Sequence, residues 1–184
     1  MKSILPEEPR KRGRLKLVLL ALVFTLPVIA SFLVWWLDLA PGAAGNYGTL
    51  LKPRPVAAAP VAALKGRWVL VQLDEGACAQ ACEKKLYLMR QVRRAQGRDM
   101  QRVERLWLVT DGAAPGAVLR AAIEGTVIAP AGAAPAEFPA ERSPRDHVYL
   151  IDPLGNLMMR FPADPDPMRV IKDLKQLLRA SQFG

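Results

Sequence analysis

The hydrophobic pattern separates one long uncharged stretch near the start of the chain from a later series of shorter apolar runs. Residues 17–37 carry no charge and are rich in Leu, Val, Phe and Ala. About 20 such residues cross a bilayer as a helix, and Pro27 is tolerated there because neighbouring groups satisfy the freed backbone. The pattern therefore predicts a transmembrane helix over 17–37.

After residue 64, apolar runs typical of buried strands alternate with segments of helical periodicity. We predict strands over 65–73, 105–110, 126–128, 147–151 and 157–161, and helices over 79–98, over 115–123 and from 167 onward. The last two strands are joined by a five-residue loop typical of a hairpin, and residues 129–143 are predicted to form a surface loop. Alternation that ends in a hairpin and a helix predicts an α/β domain with a mixed sheet.

Four segments follow from these patterns. Residues 1–16 are a basic N-terminus and residues 17–37 are the predicted transmembrane helix. Residues 38–64 are rich in Pro and Ala, which favours extended backbone and predicts a linker. Residues 65–184 are predicted to form the folded domain.

The net charge of +9 is unevenly distributed along the sequence. The first 16 residues hold six basic and two acidic side chains, and positive residues flanking a membrane helix stay on the cytoplasmic side. We therefore expect a single-pass protein of the inner membrane with residues 38–184 in the periplasm. The alternative is a cleaved signal peptide, which the small residues at 40–44 suggest. Because no basic stripe is interleaved with aromatic residues, the sequence gives no support to nucleic-acid binding.

The two cysteines, Cys78 and Cys82, are separated by three residues and follow the first predicted strand. On a helix this spacing brings the Cα atoms to about 6 Å, which permits a disulfide. It also lets both sulfurs reach one soft metal ion such as Cu(I), and a helix N-terminus stabilises thiolate. The spacing leaves three alternatives open: a structural disulfide, a redox dithiol, or two ligands of a copper site.

Other candidate side chains have a competing structural explanation. His147, the only histidine, begins an apolar strand, and Asp146 either bonds its ring or caps a turn. Met158 and Met159 point to opposite faces of a strand, so they cannot both line one metal site, and core packing is expected. The basic face of the helix predicted over 79–98 is expected to be solvated, and a docking surface for acidic protein or lipid headgroups is the alternative. Its residues are Arg90, Arg93, Arg94, Arg98 and Arg102.

Taken together, these motifs resemble the Sco family of membrane-anchored, thioredoxin-fold proteins. The resemblance rests on the N-terminal anchor, the strand Lys65-Gly-Arg-Trp-Val-Leu-Val, Cys78-x-x-x-Cys82, and the segment Asp146-His-Val-Tyr-Leu-Ile-Asp-Pro-Leu-Gly155. It implies a thioredoxin-like mixed β-sheet flanked by helices, and a copper site formed by Cys78, Cys82 and His147. The sequence departs from the family at Ala79 and Glu83, where a proline follows each cysteine in the family pattern.

The resemblance implies a copper metallochaperone that assists assembly of the copper centre of cytochrome c oxidase. The expected partners are the copper-binding subunit of the oxidase or another assembly factor. Two alternatives stay open: a periplasmic thiol–disulfide oxidoreductase that keeps the oxidase cysteines reduced through Cys78 and Cys82, and a non-catalytic scaffold. His147 discriminates between the first two, because thiol–disulfide exchange needs no histidine.

Overall fold

The computed structural model describes residues 8–37 and 45–181. The chain divides into two compact units, Met1–Gly45 and Asn46–Gly184. The helices are α1 (Glu8–Trp36), α2 (Ala59–Ala62), α3 (Gln80–Arg94), α4 (Ala117–Ala122) and α5 (Pro167–Ala180). The strands are β1 (Thr49–Pro55), β2 (Trp68–Asp74), β3 (Val103–Val109), β4 (Val127–Pro130), β5 (Val148–Ile151) and β6 (Asn156–Arg160). Short 3₁₀ helices cover Gly97–Arg102, Ala134–Glu137 and Pro144–Asp146.

The first unit is dominated by α1, which continues through Pro27 without ending. Its segment Gly13–Val34 is long and apolar enough to cross a membrane, and its apolar side chains are exposed. This segment coincides with most of the predicted span, although the helix starts within the basic N-terminus and ends one residue before Leu37. The part of the chain that the structure describes therefore includes one helix suited to single-pass anchoring.

The second unit is built on a six-stranded sheet of order β1-β6-β5-β2-β3-β4. Strand β2 is parallel to β3 and antiparallel to β5, while β3 and β4 are parallel and β5 and β6 form an antiparallel hairpin. The predicted mixed sheet and the predicted hairpin are thus confirmed. The apolar runs of β2 and β3 are buried because both faces of the sheet are covered.

Helices α3 and α5 cover one face of the sheet. Leu86 and Met89 of α3 pack there with Val170 and Leu174 of α5 and with Trp107 of β3. Leu86 and Met89 are three positions apart and Val170 and Leu174 are four positions apart, so each pair lies on one face of its helix. The predictions that Trp68 and Trp107 fill the core are confirmed, since both are buried.

The opposite face of the sheet is covered partly by the segment that was predicted to be a surface loop. Ala131, Ala134 and Phe138 are buried there, and the Phe138 ring packs edge-on against Tyr149 with centroids 4.9 Å apart. The prediction of an exposed loop over 129–143 is therefore wrong for these positions. Small residues and prolines allow this segment to lie close to the sheet, with the end of β4 and the 3₁₀ helix Ala134–Glu137 as its regular structure.

The predicted linker is also wrong over most of its length. Strand β1 pairs with β6, and Val56 and Val61 are buried against the sheet. Proline is accepted in β1 because it forms the edge of the sheet, where one row of N–H groups needs no partner. Residues 46–64 thus belong to the folded domain, and residues 38–44 lie outside the described residues.

A buried carboxylate fixes the start of this segment. Asp173 of α5 is 2 % exposed, and its Oδ2 accepts hydrogen bonds of 2.8 Å from the backbone N–H groups of Tyr47 and Gly48. Because buried backbone donors require partners, this carboxylate ties the chain entering β1 to the last helix.

Candidate functional site

The segment between β2 and α3 presents both cysteines and is held against the loop after β3. The N–H of Gly76 donates to Oδ1 of Asp111 at 2.9 Å, and the same oxygen accepts from the N–H of Ala113 at 3.0 Å. These two bonds lower the pKa of Asp111 below its ordinary value. A Cβ at position 76 would lie 2.2 Å from the carbonyl oxygen of Ala113, so only glycine fits this contact.

Cys78 and Cys82 form a disulfide with Cα atoms 5.2 Å apart. Both residues are buried, with exposed fractions of 4 % and 1 %. The prediction that their spacing permits a disulfide is confirmed. The geometry differs from the helical one that the spacing suggested, because α3 begins only at Gln80.

Cys78 lies in a tight turn before the helix, with its N–H donating to the carbonyl of Glu75 at 3.1 Å. Its φ of 45° is in the left-handed region, which is costly for a residue with a Cβ. Such backbone strain is often found at functional positions. Cys82 lies in the first turn of α3, where the helix N-terminus favours a negative charge.

His147 directly follows the 3₁₀ helix Pro144–Asp146 and precedes β5. Because Gln72 of β2 pairs with Val148 of β5, His147 lies beside the end of β2 from which the cysteine segment departs. Its ring is half-buried, and Nδ1 lies 2.8 Å from the carbonyl oxygen of Phe161. A carbonyl only accepts, so Nδ1 carries the proton and Nε2 keeps its lone pair.

This arrangement selects Nε2 as the nitrogen of His147 that is able to bind a metal ion. Histidine ligands commonly donate their other ring N–H to a carbonyl or carboxylate, which fixes the tautomer. The partner here is the Phe161 carbonyl rather than Asp146, the residue considered from the sequence. Among residues 8–37 and 45–181, no group of three or more His, Cys, Asp or Glu side chains is placed to hold a metal ion. In this structure the sulfurs are joined to each other.

Lys85 is a residue of the site that the sequence analysis missed. It lies three positions after Cys82 on α3, is 8 % exposed, and donates from Nζ to the carbonyl of Arg145 at 2.7 Å. Burial lowers its pKa, while the nearby carboxylates Asp74 and Asp146 oppose that shift. The available signal was its spacing: Lys85, Met89 and Val92 share one helical face, so a lysine interrupts an otherwise apolar stripe.

Two further contacts join the cysteine segment to the segment before His147. Gln72 Nε2 also donates to the Arg145 carbonyl, at 3.1 Å, and the guanidinium of Arg145 pairs with the carboxylate of Glu75. That carboxylate raises the pKa of Arg145 above its ordinary value. Sequence reasoning brought none of these residues into the site, because the contacts depend on how the strands are paired.

Met158 and Met159 are not part of the site. Met159 is fully buried in the core, and Met158 packs partly buried against it. The prediction that they serve core packing is confirmed.

A largely apolar groove lies between α3 and α4, and Ala77 and Glu83, the sequence neighbours of Cys78 and Cys82, are part of its lining. Its volume is about 570 Å³, and Ala77, Tyr87, Val118 and Leu119 contribute to its lining. Tyr87 is 60 % exposed and Val118 87 % exposed. Large exposed apolar side chains beside a reactive group are suited to contact another polypeptide.

Comparisons with known proteins agree with this architecture. A family model for the transmembrane-like, thioredoxin-like, C-terminal domain matches residues 68–181. The comparison with curated proteins gives no match.

Among solved structures, copper-bound yeast Sco1 aligns with a TM-score of 0.56 and 12 % identity, covering 74 % of this chain and 94 % of that one. Apo Sco1 from Thermus thermophilus gives 0.51 and 18 %, covering 76 % and 99 %. Copper-bound ScoI from Bradyrhizobium japonicum gives 0.50 and 19 %, covering 63 % and 88 %. These values confirm the resemblance to Sco proteins in the thioredoxin-like fold.

Proposed function

Because the chain belongs to the family of transmembrane-like, thioredoxin-like C-terminal domains, we propose that it is a membrane-anchored copper metallochaperone. Copper is the cargo, bound by the thiolates of Cys78 and Cys82 and by Nε2 of His147. The observation that supports this ligand set most directly is the bond from His147 Nδ1 to the Phe161 carbonyl. It orients the imidazole and leaves Nε2 as the binding atom.

Loading requires reduction of the disulfide. A dithiol donor supplies two electrons and two protons, its own sulfurs become a disulfide, and Cys78 and Cys82 become thiols. Binding of copper then displaces the thiol protons. Two sulfurs and one imidazole nitrogen suit Cu(I) and also accommodate Cu(II). Exchange with the disulfide of another protein re-forms the Cys78–Cys82 disulfide and reduces that protein to two thiols. This step removes both sulfur ligands and so couples release of copper to redox state.

The surroundings of the cysteines favour the charged, metal-binding form. Cys82 lies at the N-terminus of α3, and Lys85, whose Nζ donates to the carbonyl of Arg145, is three positions further along the helix. Both contribute positive potential at the sulfurs. Since copper on two thiolates leaves a negatively charged site, the same groups stabilise the loaded protein.

The recipient in this proposal is the copper-binding subunit of cytochrome c oxidase or another assembly factor. Delivery proceeds by ligand exchange, in which cysteines of the recipient replace Cys78 and Cys82 one at a time. The groove between α3 and α4 is the contact surface for this step, because its lining is largely apolar and includes Ala77 and Glu83, the sequence neighbours of Cys78 and Cys82. In this proposal the domain faces the periplasm from the inner membrane, and the excess of basic over acidic residues within residues 1–16 supports that orientation.

A thiol–disulfide oxidoreductase is the second candidate, and the Cys78–Cys82 disulfide favours it. In its reduced form the protein would attack a disulfide of the oxidase subunit, form a mixed disulfide, and resolve it with the second cysteine. The target cysteines would leave as thiols and Cys78–Cys82 would be re-formed. This function leaves His147 without a role.

Copper binding by the full-length protein in neutral detergent separates the two functions. We expect one copper per reduced wild-type protein. Cys78→Ser should weaken binding of both oxidation states, whereas His147→Ala should retain weakened Cu(I) and lose most Cu(II), because two sulfurs alone can hold Cu(I) linearly. Met158→Leu is the matched control and should bind as wild type. If His147→Ala binds both oxidation states like wild type while the dithiol still cycles, the three-ligand site is wrong and the oxidoreductase function replaces it.

A further inference from the structure

The end of α3 away from the cysteines carries a cluster of arginines. Arg90, Arg93 and Arg94 from α3 and Arg105 from β3 line a cavity of about 330 Å³. Arg93 lies eleven residues beyond Cys82, which is about 16 Å along the helix axis. The cluster is therefore separate from the candidate copper site. We refer to these four residues as the arginine cluster.

Arg105 is the most unusual member of the arginine cluster. Its side chain is buried within the domain, with an exposed fraction of 3 %. Nη2 donates to the carbonyl of Glu124 at 2.7 Å, while the buried Nε and Nη1 have no hydrogen-bond partner among the described residues. Buried polar groups almost always have a partner, and an unpaired charged donor is especially unfavourable.

Two other members are fixed in place despite their mutual repulsion. Arg93 Nε donates to the carbonyl of Val103 at 2.6 Å, and Arg90 Nη1 donates to that of Ala122 at 2.9 Å. Both side chains are half-buried, so the basic face that was predicted to be solvated also holds fixed contacts. Burial lowers the pKa of Arg105, and the charges of Arg93 and Arg90 lower it further.

Little negative charge balances the arginine cluster. Among the described residues that line the cavity, Glu124 is the one acidic residue, and it is exposed. The neighbouring Glu104 raises the pKa of Arg105, but its carboxylate is bound to Arg67, the residue before β2. Four guanidinium groups therefore share one cavity with a single carboxylate.

We propose that the arginine cluster binds a phosphate oxyanion, either free or as the headgroup of a lipid. Guanidinium groups match the oxygens of phosphate with paired, charge-assisted hydrogen bonds. Phosphate offers several oxygens and up to two negative charges, which suits convergent arginines better than a single carboxylate does. Nε and Nη1 of Arg105 point in different directions, so a phosphate oxygen satisfies one of these two unpartnered donors. The guanidinium groups of Arg90, Arg93 and Arg94 supply the other donors.

Gly125 contributes to the room around Arg105. Its φ of +78° is in the left-handed region, and a Cβ there would lie 3.1 Å from Arg105 Nη2. Glycine both adopts this backbone and avoids crowding the guanidinium. The turn after α4 therefore leaves room for the guanidinium of Arg105 at the proposed phosphate site.

Calorimetric titration of the full-length protein in neutral detergent with inorganic phosphate tests the proposal. We expect saturable binding with one phosphate per protein. Arg105→Met and Arg93→Gln should each weaken it by about tenfold, since each removes a charged hydrogen-bond donor. Arg98→Gln is the matched control, because Arg98 is exposed and does not line the cavity; it should change the affinity less than about twofold.

Dihexanoyl phosphatidic acid, titrated in the same detergent, distinguishes the two sources of phosphate. Tighter binding than that of inorganic phosphate, lost in Arg105→Met, identifies a lipid headgroup; equal or weaker binding identifies the free ion. Absence of saturable binding of both probes to wild type overturns the proposal. The proposal is also overturned if Arg93→Gln binds phosphate with wild-type affinity. This variant keeps the test informative if circular dichroism shows that Arg105→Met does not fold.

Discussion

Replacing Gly76 with Ala should displace the segment that carries the disulfide. The added Cβ would lie 2.2 Å from the carbonyl oxygen of Ala113 and 2.7 Å from its carbon. To relieve this overlap, the two backbone segments must separate by about 1 Å, an overpacking change that costs about 1–3 kcal/mol. The same movement stretches the bond from Gly76 N–H to Asp111, worth about 1 kcal/mol more. We expect the free energy of unfolding to fall by about 3 kcal/mol.

Two measurements on the full-length protein in neutral detergent examine this variant. Urea unfolding followed by tryptophan fluorescence gives the stability, and equilibration in glutathione buffers gives the thiol–disulfide balance of Cys78 and Cys82. Gly116→Ala is the control, because a Cβ at Gly116 meets nothing within 4 Å, and its effect should be below about 1 kcal/mol. The steric argument is refuted if Gly76→Ala unfolds at the wild-type urea concentration and its thiol–disulfide balance is unchanged.

Two further predictions concern the surroundings of the site. Lys85→Met removes a buried positive charge three positions after Cys82, so alkylation of the reduced cysteines at pH 7 should slow by about fivefold. Lys84→Met, at an exposed position of the same helix, is the control and should react as wild type. Equal alkylation rates in the two variants would contradict the electrostatic role of Lys85. Asp111 has a pKa below its ordinary value because it accepts hydrogen bonds from Gly76 and Ala113. Its contribution to stability is therefore present above the unfolded-state pKa of about 3.9 and is lost as the pH falls through the folded-state pKa. Thermal unfolding between pH 5 and pH 2 should therefore show wild type losing its advantage over Asp111→Ala below about pH 4, and an advantage that is constant across this range would exclude that linkage.

The strands and helices that the sequence predicted correctly are those whose apolar side chains form a continuous run or repeat at a regular interval. Strands β2 and β3 are nearly continuous apolar runs, and α5 combines a proline at its start with a regular apolar face. Such patterns depend only on local sequence. Strand β1 lacks that signal, because Pro53 and Pro55 are typical of loops and its residues are mostly exposed. Its place in the sheet is fixed by pairing with β6.

The site was predictable only where its chemistry is unusual. Cys78, Cys82 and His147 stood out because each residue type is rare in this chain. Lys85 and Arg105 did not, since a charged residue within an amphipathic pattern is normally exposed. The bond between His147 and the Phe161 carbonyl depends on the β5–β6 hairpin, which places residues 14 positions apart side by side.

The edge position of β1 has a consequence for where the chain can be cut. Without β1, strand β6 would become the edge of the sheet and would expose a row of unpaired backbone groups next to Leu157 and Met159. Open edges of this kind template pairing between molecules and promote aggregation. A water-soluble fragment that starts at Lys65, where the apolar runs begin, would therefore be prone to self-association. A fragment that keeps Tyr47 and Gly48 retains both the covering strand and its attachment to Asp173.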